Sequence, residues 1–261
     1  MGRAKDIIVK PISAQDANRI VRAIHYSGKV AFGSSLHLGV FVGEKCGGVM
    51  QFGPSIDKRK MLGLVEGTGW NSFIELNRMA FADWLPRNSE SRAIGYAMRW
   101  MKKTYPHIDW VVSFADGTQC GDGTIYRASG FYLTGIRQNK SLWILPSGEA
   151  INDIVTRQLQ GENSRKRIGF QIGETWKNFA ERSGAKLIPG FQLRYLYFLN
   201  RAARARLTVP ILPFSEIDKR GAGMYKGKQR IQSRAVSDTK DTADFQSAKG
   251  GSTPTTALQS E

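Results

Sequence analysis

FIELNRMAF at 73–81, PRNSES at 86–91, WVVSFAD at 110–116 and GTIYRASGFYLTG at 123–135 form one run of strand, turn into helix, strand, glycine loop, short helix and strand. The second strand carries Trp110, Val111, Val112 and Phe114 almost without alternation. Such a strand is covered on both faces, as in the parallel part of a mixed sheet. Asp116 then stands at the carboxyl end of a central strand, the place where open α/β sheets bind ligands. In the helix over 89–103, Ile94, Ala97, Met98 and Met101 share one face, with Asn88 or Ser89 as the N-cap. Glu75, Asn77, Arg78, Asp116 and Tyr126 are the polar residues that chemistry can use within this run.

Outward from that run, Ser13 and Asp16 make a capping pattern. Ala17, Ile20, Val21 and Ile24 follow at helical spacing, so 14–26 reads as an amphipathic helix with His25 and Tyr26 at its C-terminal end. LHLGVFV (36–42) and GGVMQFG (47–53) read as a hairpin, and 54–69 as a loop. A strand is expected around Leu142–Leu145, helices over 150–160 and 174–183, and a strand at LRYLYFLN (193–200) that RAARAR (201–206) extends. From about Lys226 the composition is that of a disordered tail. These readings divide the chain into a core at 1–148, an extension at 149–225 that packs on or completes the core, and the tail at 226–261.

Composition narrows the class. A chain of 261 residues with 41% hydrophobic content can bury a substantial core. It has no apolar run of membrane-spanning length and no signal-peptide pattern, so the expectation is a soluble, cytoplasmic protein with no membrane partner. Two cysteines, Cys46 and Cys120, match no metal-ligand spacing and no disulfide framework. The net charge is +16, and half of the excess lies between Arg157 and Arg206, where eleven basic residues face three acidic ones. A basic surface of this size attracts polyanions, nucleic acid first among them.

The element order resembles the GNAT-type acyltransferase fold: a mixed α/β sheet whose two central parallel strands, here 73–81 and 110–116, splay apart. Tyr126-Arg-Ala-Ser-Gly-Phe131 is similar to the segment that joins the last helix of that fold to the next strand. This likeness covers about residues 5–146. One departure is visible in the turn at 86–91. Where such proteins hold the pyrophosphate of coenzyme A in a glycine-rich turn, this chain has no glycine and carries Glu90. Arg87, Asn88, Ser89, Ser91 and the helix N-terminus remain as anion-binding groups, with Arg78 as a further anchor for a donor phosphate.

A narrower resemblance rests on five segments together: His25-Tyr-Ser27, Glu75-Leu-Asn-Arg78, Pro86-Arg-Asn-Ser-Glu90, Phe114-Ala-Asp116 and Gly123-Thr-Ile-Tyr126. With LRYLYFLN and the VPILPF that follows, the likeness runs to about residue 225, and the set resembles the Mom family of phage proteins. The resemblance implies transfer of a carbamoylmethyl group to the N6 amine of adenine in double-stranded phage DNA, which protects that DNA from restriction inside the host cytoplasm. It implies catalytic roles for His25, Tyr26, Asp116 and Tyr126, and it raises a mononuclear iron site from His25, Asp116, Cys120 and Asp122. The residue spacing by itself gives no metal motif. The implied donor is acetyl-coenzyme A or another carrier of a two-carbon or glycyl unit. Substrate and DNA contacts are expected from Glu75, Asn77, Arg165, Lys166, Arg167, Arg194, Arg201 and Arg204. Tyr26, Phe32, Trp70, Trp84 and Tyr126 can stack on an extruded base. Two other readings stay open: an acyltransferase acting on a protein or small-molecule amine, and a basic DNA-binding protein without activity.

Overall fold

A computed structural model describes residues 4–118, 121–152, 168–171, 173–225 and 228–229. The tail assigned to 226–261 lies almost wholly outside them. Seven strands make the main sheet: β1 (Ile8–Pro11), β2 (Leu36–Val42), β3 (Lys45–Gly53), β4 (Phe73–Phe81), β5 (Trp110–Asp116), β6 (Tyr132–Gln138) and a late strand, Phe191–Phe198. Their spatial order is β1-β2-β3-β4-β5, then the late strand, then β6. A smaller sheet of three strands holds β7 (Leu142–Ile144), β8 (Ala150–Asn152) and β9 (Lys186–Leu187), so the late strand is β10. The 149–225 segment thus threads a strand into the sheet that 1–148 begins.

Among the described residues only β4 and β5 pair in parallel, and they do so at three positions: Phe73 with Trp110, Ile74 with Val111 and Glu75 with Val112. The Ser113 hydroxyl still donates to Leu76 O at 3.2 Å. No ladder bonds follow between the described residues of the two strands, so they part toward Phe81 and Asp116. This is the splayed arrangement expected from the sequence.

Helix α3 (Ser89–Thr104) covers one face of the sheet, and α1 (Ala14–Ile24) lies on the other. The apolar stripe of α3 is fully buried at Ile94, Ala97, Met98 and Met101, joined by Ala93. Burial of the three large side chains contributes about 5–9 kcal/mol as an upper bound. Helix α1 begins as its sequence specifies, with the Asp16 amide donating to Ser13 Oγ at 3.0 Å, and it ends before His25.

Alternation sorts the two faces of β5. Val111 and Ala115 pack under α3, whereas Trp110 and Val112 join Met61, Phe73, Leu196, Phe198 and Ala203 on the opposite side. Asp116 therefore belongs to the α1 side of the sheet.

Three local expectations need correction. Within 54–69, residues Lys58–Leu62 form a short helix, α2, capped by Asp57, because five residues are too few to show a helical period. Residues 150–152 are strand rather than helix, and 153–160 lie outside the described residues. The expected helix at 174–183 is present as α5 (Trp176–Ser183), after the short α4 (Thr124–Ala128). Arg201–Arg206 does not extend β10. It turns into a 3-10 helix, with Asn200 Oδ1 accepting from the Ala202 amide.

Candidate active site

The opening between β4 and β5 is bridged by the segment that follows α1. Tyr26 Oη donates to Asp116 Oδ2 at 3.4 Å, while Asp116 Oδ1 accepts the Thr118 amide at 2.9 Å. One carboxylate oxygen is thus spent on closing the turn after β5, as an aspartate before Gly117-Thr118 commonly does, and the other points at the tyrosine. The His25 ring packs on Tyr26 with centroids 4.3 Å apart.

His25 Nδ1 accepts from the Ser27 amide at 3.2 Å and lies 2.8 Å from Ser27 Oγ, which leaves the ring proton on Nε2. Burial, with the Arg78 guanidinium as a second cause, lowers the His25 pKa to about 4. The imidazole is therefore neutral at physiological pH.

Arg78 donates from Nε to Lys29 O at 3.1 Å and from its guanidinium to Asn77 O at 2.9 Å. It ties the bridging segment to β4. Asn77 is the extra residue of a bulge, since Arg78 pairs with Gln51 and Leu76 with Phe52. Bulges re-aim side chains beside active sites. Here the Asn77 side-chain Oδ1 accepts from Ser34 Oγ at 3.0 Å, and its Nδ2 donates to Pro54 O at 3.3 Å. Close packing at this point requires Gly53, because a Cβ there would sit 2.7 Å from Asn77 Oδ1 and 2.8 Å from Gly33 O. Burial raises the Glu75 pKa against the opposing hydrogen bonds of Ser55 and Asn77 and the charge of Arg78.

The family model of the Mom protein family matches residues 6–216. The chain belongs to the Mom protein family. It is 38% identical over 210 residues to the protein named methylcarbamoylase mom of Escherichia phage Mu, covering 80% of this chain and 82% of that one. Among solved structures it is similar to a Bacillus subtilis acetyltransferase in complex with CoA, with TM-score 0.39, 10% identity, and coverage of 74% and 97%. It is also similar to the Vibrio cholerae spermidine/spermine N-acetyltransferase, with TM-score 0.41, 7% identity, and coverage of 77% and 98%.

Of the residues singled out by likeness to the Mom family, His25, Tyr26, Arg78 and Asp116 come together, and Glu75 and Asn77 flank them. Tyr126 does not face the opening. It is 9% exposed and packs between Phe131 and Tyr195, with ring centroids 5.4 and 5.3 Å away. Among the other stacking candidates, Tyr26, Phe32, Trp70 and Trp84 are exposed.

The turn after β4 borders a cavity of about 430 Å³ lined by Asp83, Arg87, Asn88 and Glu90 together with apolar neighbours. Asn88 holds the N-cap position in a left-handed conformation, φ 69°, with no side-chain cap bond. Ser89 is fully buried and its hydroxyl donates to Pro86 O at 2.6 Å, while Ser91 Oγ donates to Asn88 O at 3.2 Å. Both serines serve the turn itself, so only Arg87 and Asn88 of the four expected turn ligands line the cavity. Two carboxylates stand beside the single arginine.

Of the residues suggested for iron, the described ones, His25, Asp116 and Asp122, form no group that could hold a metal ion. Asp122 is buried and bonded to Thr124 Oγ1 at 3.0 Å and to Arg127 at 3.4 Å, a structural network under α4. Cys120 lies outside the described residues. Among the described residues no group of three His, Cys, Asp or Glu is placed to hold a metal ion.

The basic residues divide. Arg194 donates to Thr134 Oγ1 at 3.1 Å and Thr134 O at 2.7 Å, so it braces β10 against β6 instead of reaching outward. Arg201 and Arg204 are exposed, and Arg204 lies 4.5 Å over the Tyr132 ring. Arg165, Lys166 and Arg167 lie outside the described residues. Sequence reasoning passed over Lys58, Arg59 and Lys60 on α2, which adjoin Arg201–Arg206 through the Val65–Leu207 bridge and the Thr208–Leu64 backbone bond. This basic rim shares the Asp116 face of β5 but stands at its other end, about 20 Å away for six residues of strand. No helix among the described residues is long and apolar enough to cross a membrane.

Proposed function

We propose that this chain is a transferase that converts adenine N6 in phage DNA to N6-carbamoylmethyladenine and so protects the DNA from restriction enzymes. The observation that carries this reading is the Tyr26–Asp116 pair at the mouth of the splayed strands, in a chain 38% identical to a protein named methylcarbamoylase. Adenine N6 is a weak nucleophile because its lone pair is delocalised into the ring. A site for it must hold the amine against the electrophile and take a proton as the bond forms. Asp116 supplies the acceptor: Oδ1 is fixed by the Thr118 amide, which leaves Oδ2 to receive the N6 proton. Tyr26 occupies the position from which a hydroxyl can orient the base or protonate the leaving group.

A bound acyl donor would supply the two-carbon unit: a glycyl carrier holds every atom of the carbamoylmethyl group, which would form by acyl transfer to N6 with release of the carrier and rearrangement of the glycyl unit, whereas acetyl-coenzyme A would need a separate source of the amide nitrogen. Arg87 and the amides at the start of α3 would hold the donor's anionic part, while Asp83 and Glu90 weaken that grip on pyrophosphate and favour a less charged donor. The amine is paired inside a duplex, so the adenine is extruded to reach the pair, at a cost of about a few kcal/mol. The basic rim of Lys58, Arg59, Lys60, Arg201 and Arg204 lies at a distance of roughly six base pairs, where it can hold the backbone.

Nucleoside mass spectrometry of DNA from cells expressing the protein tests this. Wild type is expected to yield a mass-shifted deoxyadenosine and DNA resistant to several restriction enzymes. Asp116→Asn keeps the bond to Thr118 but removes the base, so the modified fraction should fall by about 100-fold or more, the scale of general-base catalysis. Unmodified nucleosides from wild-type cells that contain folded protein would sink the proposal.

A further inference from the structure

The segment from Gly28 to Ser35 crosses the mouth of the site, and its backbone is held at both ends. Lys29 O accepts from Arg78 Nε at 3.1 Å, and Ser34 Oγ donates to Asn77 at 3.0 Å. The Ser35 amide then donates to Phe52 O at 2.8 Å. Between these anchors Phe32 is 100% exposed, the most exposed large apolar side chain among the described residues. Gly33 beside it adopts φ 78°, which turns the chain sharply after the ring.

A single exposed phenylalanine is ordinary on a mobile surface loop. Here the loop is fixed by the two β4 side chains that frame the site, so the ring projects from a defined place. Its Cα lies no more than about 11 Å from that of Lys29 along the chain. That span equals roughly three base steps of a duplex at 3.4 Å each. The segment 28–35 contains one lysine and no acidic residue, which suits approach to phosphates.

We propose that Phe32 is a wedge that enters the base stack where the extruded adenine has left it, while Tyr26 and Asp116 receive that adenine. The inference rests on the adenine-transfer reading above. Apolar wedges between base steps unstack a duplex, and a ring that fills the vacated space slows the return of the base. Phe32 is thus a positioning residue, and the bulk of its side chain is what matters.

The test uses the full-length protein and a pool of duplexes with 2-aminopurine in place of adenine, whose fluorescence rises on unstacking. Wild type should raise the signal and Phe32→Ala should not, while Phe32→Leu restores much of it. Duplex affinity, read by anisotropy, should change by less than about 3-fold, because backbone contacts dominate affinity. Modified deoxyadenosine in DNA from expressing cells should fall by about 10-fold in Phe32→Ala and less in Phe32→Leu, as expected when stacking and not charge is removed. Equal fluorescence and equal modification by Phe32→Ala overturn the wedge, as does loss of duplex binding alone, which would make Phe32 a mere surface contact. A signal that depends on Phe32 with no modified nucleoside from wild type would keep the wedge and discard adenine transfer.

Discussion

Two tyrosines with similar sequence credentials sit in opposite environments. Tyr26 is 53% exposed, touches Asp116 and stands at the mouth of the splayed strands. Tyr126, on α4, is enclosed by Phe131 and Tyr195. A phenol in the first place can meet a substrate, and one in the second mainly fills volume. The comparison divides the molecule into a mouth, whose side chains should matter for chemistry, and a packed base, whose side chains should matter for stability.

The largest expected effect lies in the packed base. Tyr195 is fully buried, its ring fills the place that a Cβ on Gly123 would occupy, and its hydroxyl donates to Asp122 O. Tyr195→Ala removes the ring and the hydroxyl's hydrogen bond to Asp122 O. Denaturant unfolding should record a loss of about 3–5 kcal/mol. A loss below about 1 kcal/mol would mean that the α4 region can collapse onto the space, and the division between mouth and base would blur.

The pair Tyr26→Phe and Tyr126→Phe tests the division directly. Tyr26→Phe should leave stability within about 0.5 kcal/mol, because the side chain is exposed. Its modified-adenine yield should fall at least about 10-fold, at the low end of proton-transfer contributions. Tyr126→Phe keeps the ring packing, so its yield should stay within about 3-fold of wild type, with a stability cost of about 1 kcal/mol for the lost hydroxyl interaction. If Tyr126→Phe is the inactive one, its hydroxyl reaches the substrate, and the core reading of α4 is wrong.

The mouth and the base were not equally legible in the sequence. The strands and α3 could be read because Trp110–Val112 and the stripe Ile94, Ala97, Met98 and Met101 carry strong periodic signals, and burial follows period. Asp116 could be placed because strand ends in α/β sheets are predictable sites. Burial of Tyr126 could not, since it depends on β10, which arrives some seventy residues later to lay Tyr195 against it. Ser89 illustrates the same limit: a serine at a helix start suggests a free donor, yet a one-turn bond to Pro86 consumes it. Arg194 is expected at the substrate, and alternation along β10 does not reveal the neighbour on β6 that accepts two of its guanidinium hydrogen bonds.

The smallest effect is a pH signature that separates the two regions again. His25 at the mouth has a folded pKa of about 4 against an ordinary 6.5, so between those values the unfolded state binds more protons. Its contribution to stability is therefore whole above pH 6.5 and lost as pH falls toward 4. Glu75 acts with the opposite sign, because its raised pKa lets the folded state hold the extra proton as pH climbs past 4.5. The His25 part must accordingly be read as the difference between wild type and His25→Asn, with unfolding midpoints measured from pH 7 to 4. That difference should be level near pH 7 and shift against wild type below 6.5. Tyr195 in the packed base supplies the counterpart, since burial raises its pKa and its contribution should fade only as pH rises beyond 10. A flat difference curve for His25 would mean that water reaches the imidazole freely, so that burial does not hold it neutral against the Tyr26 ring.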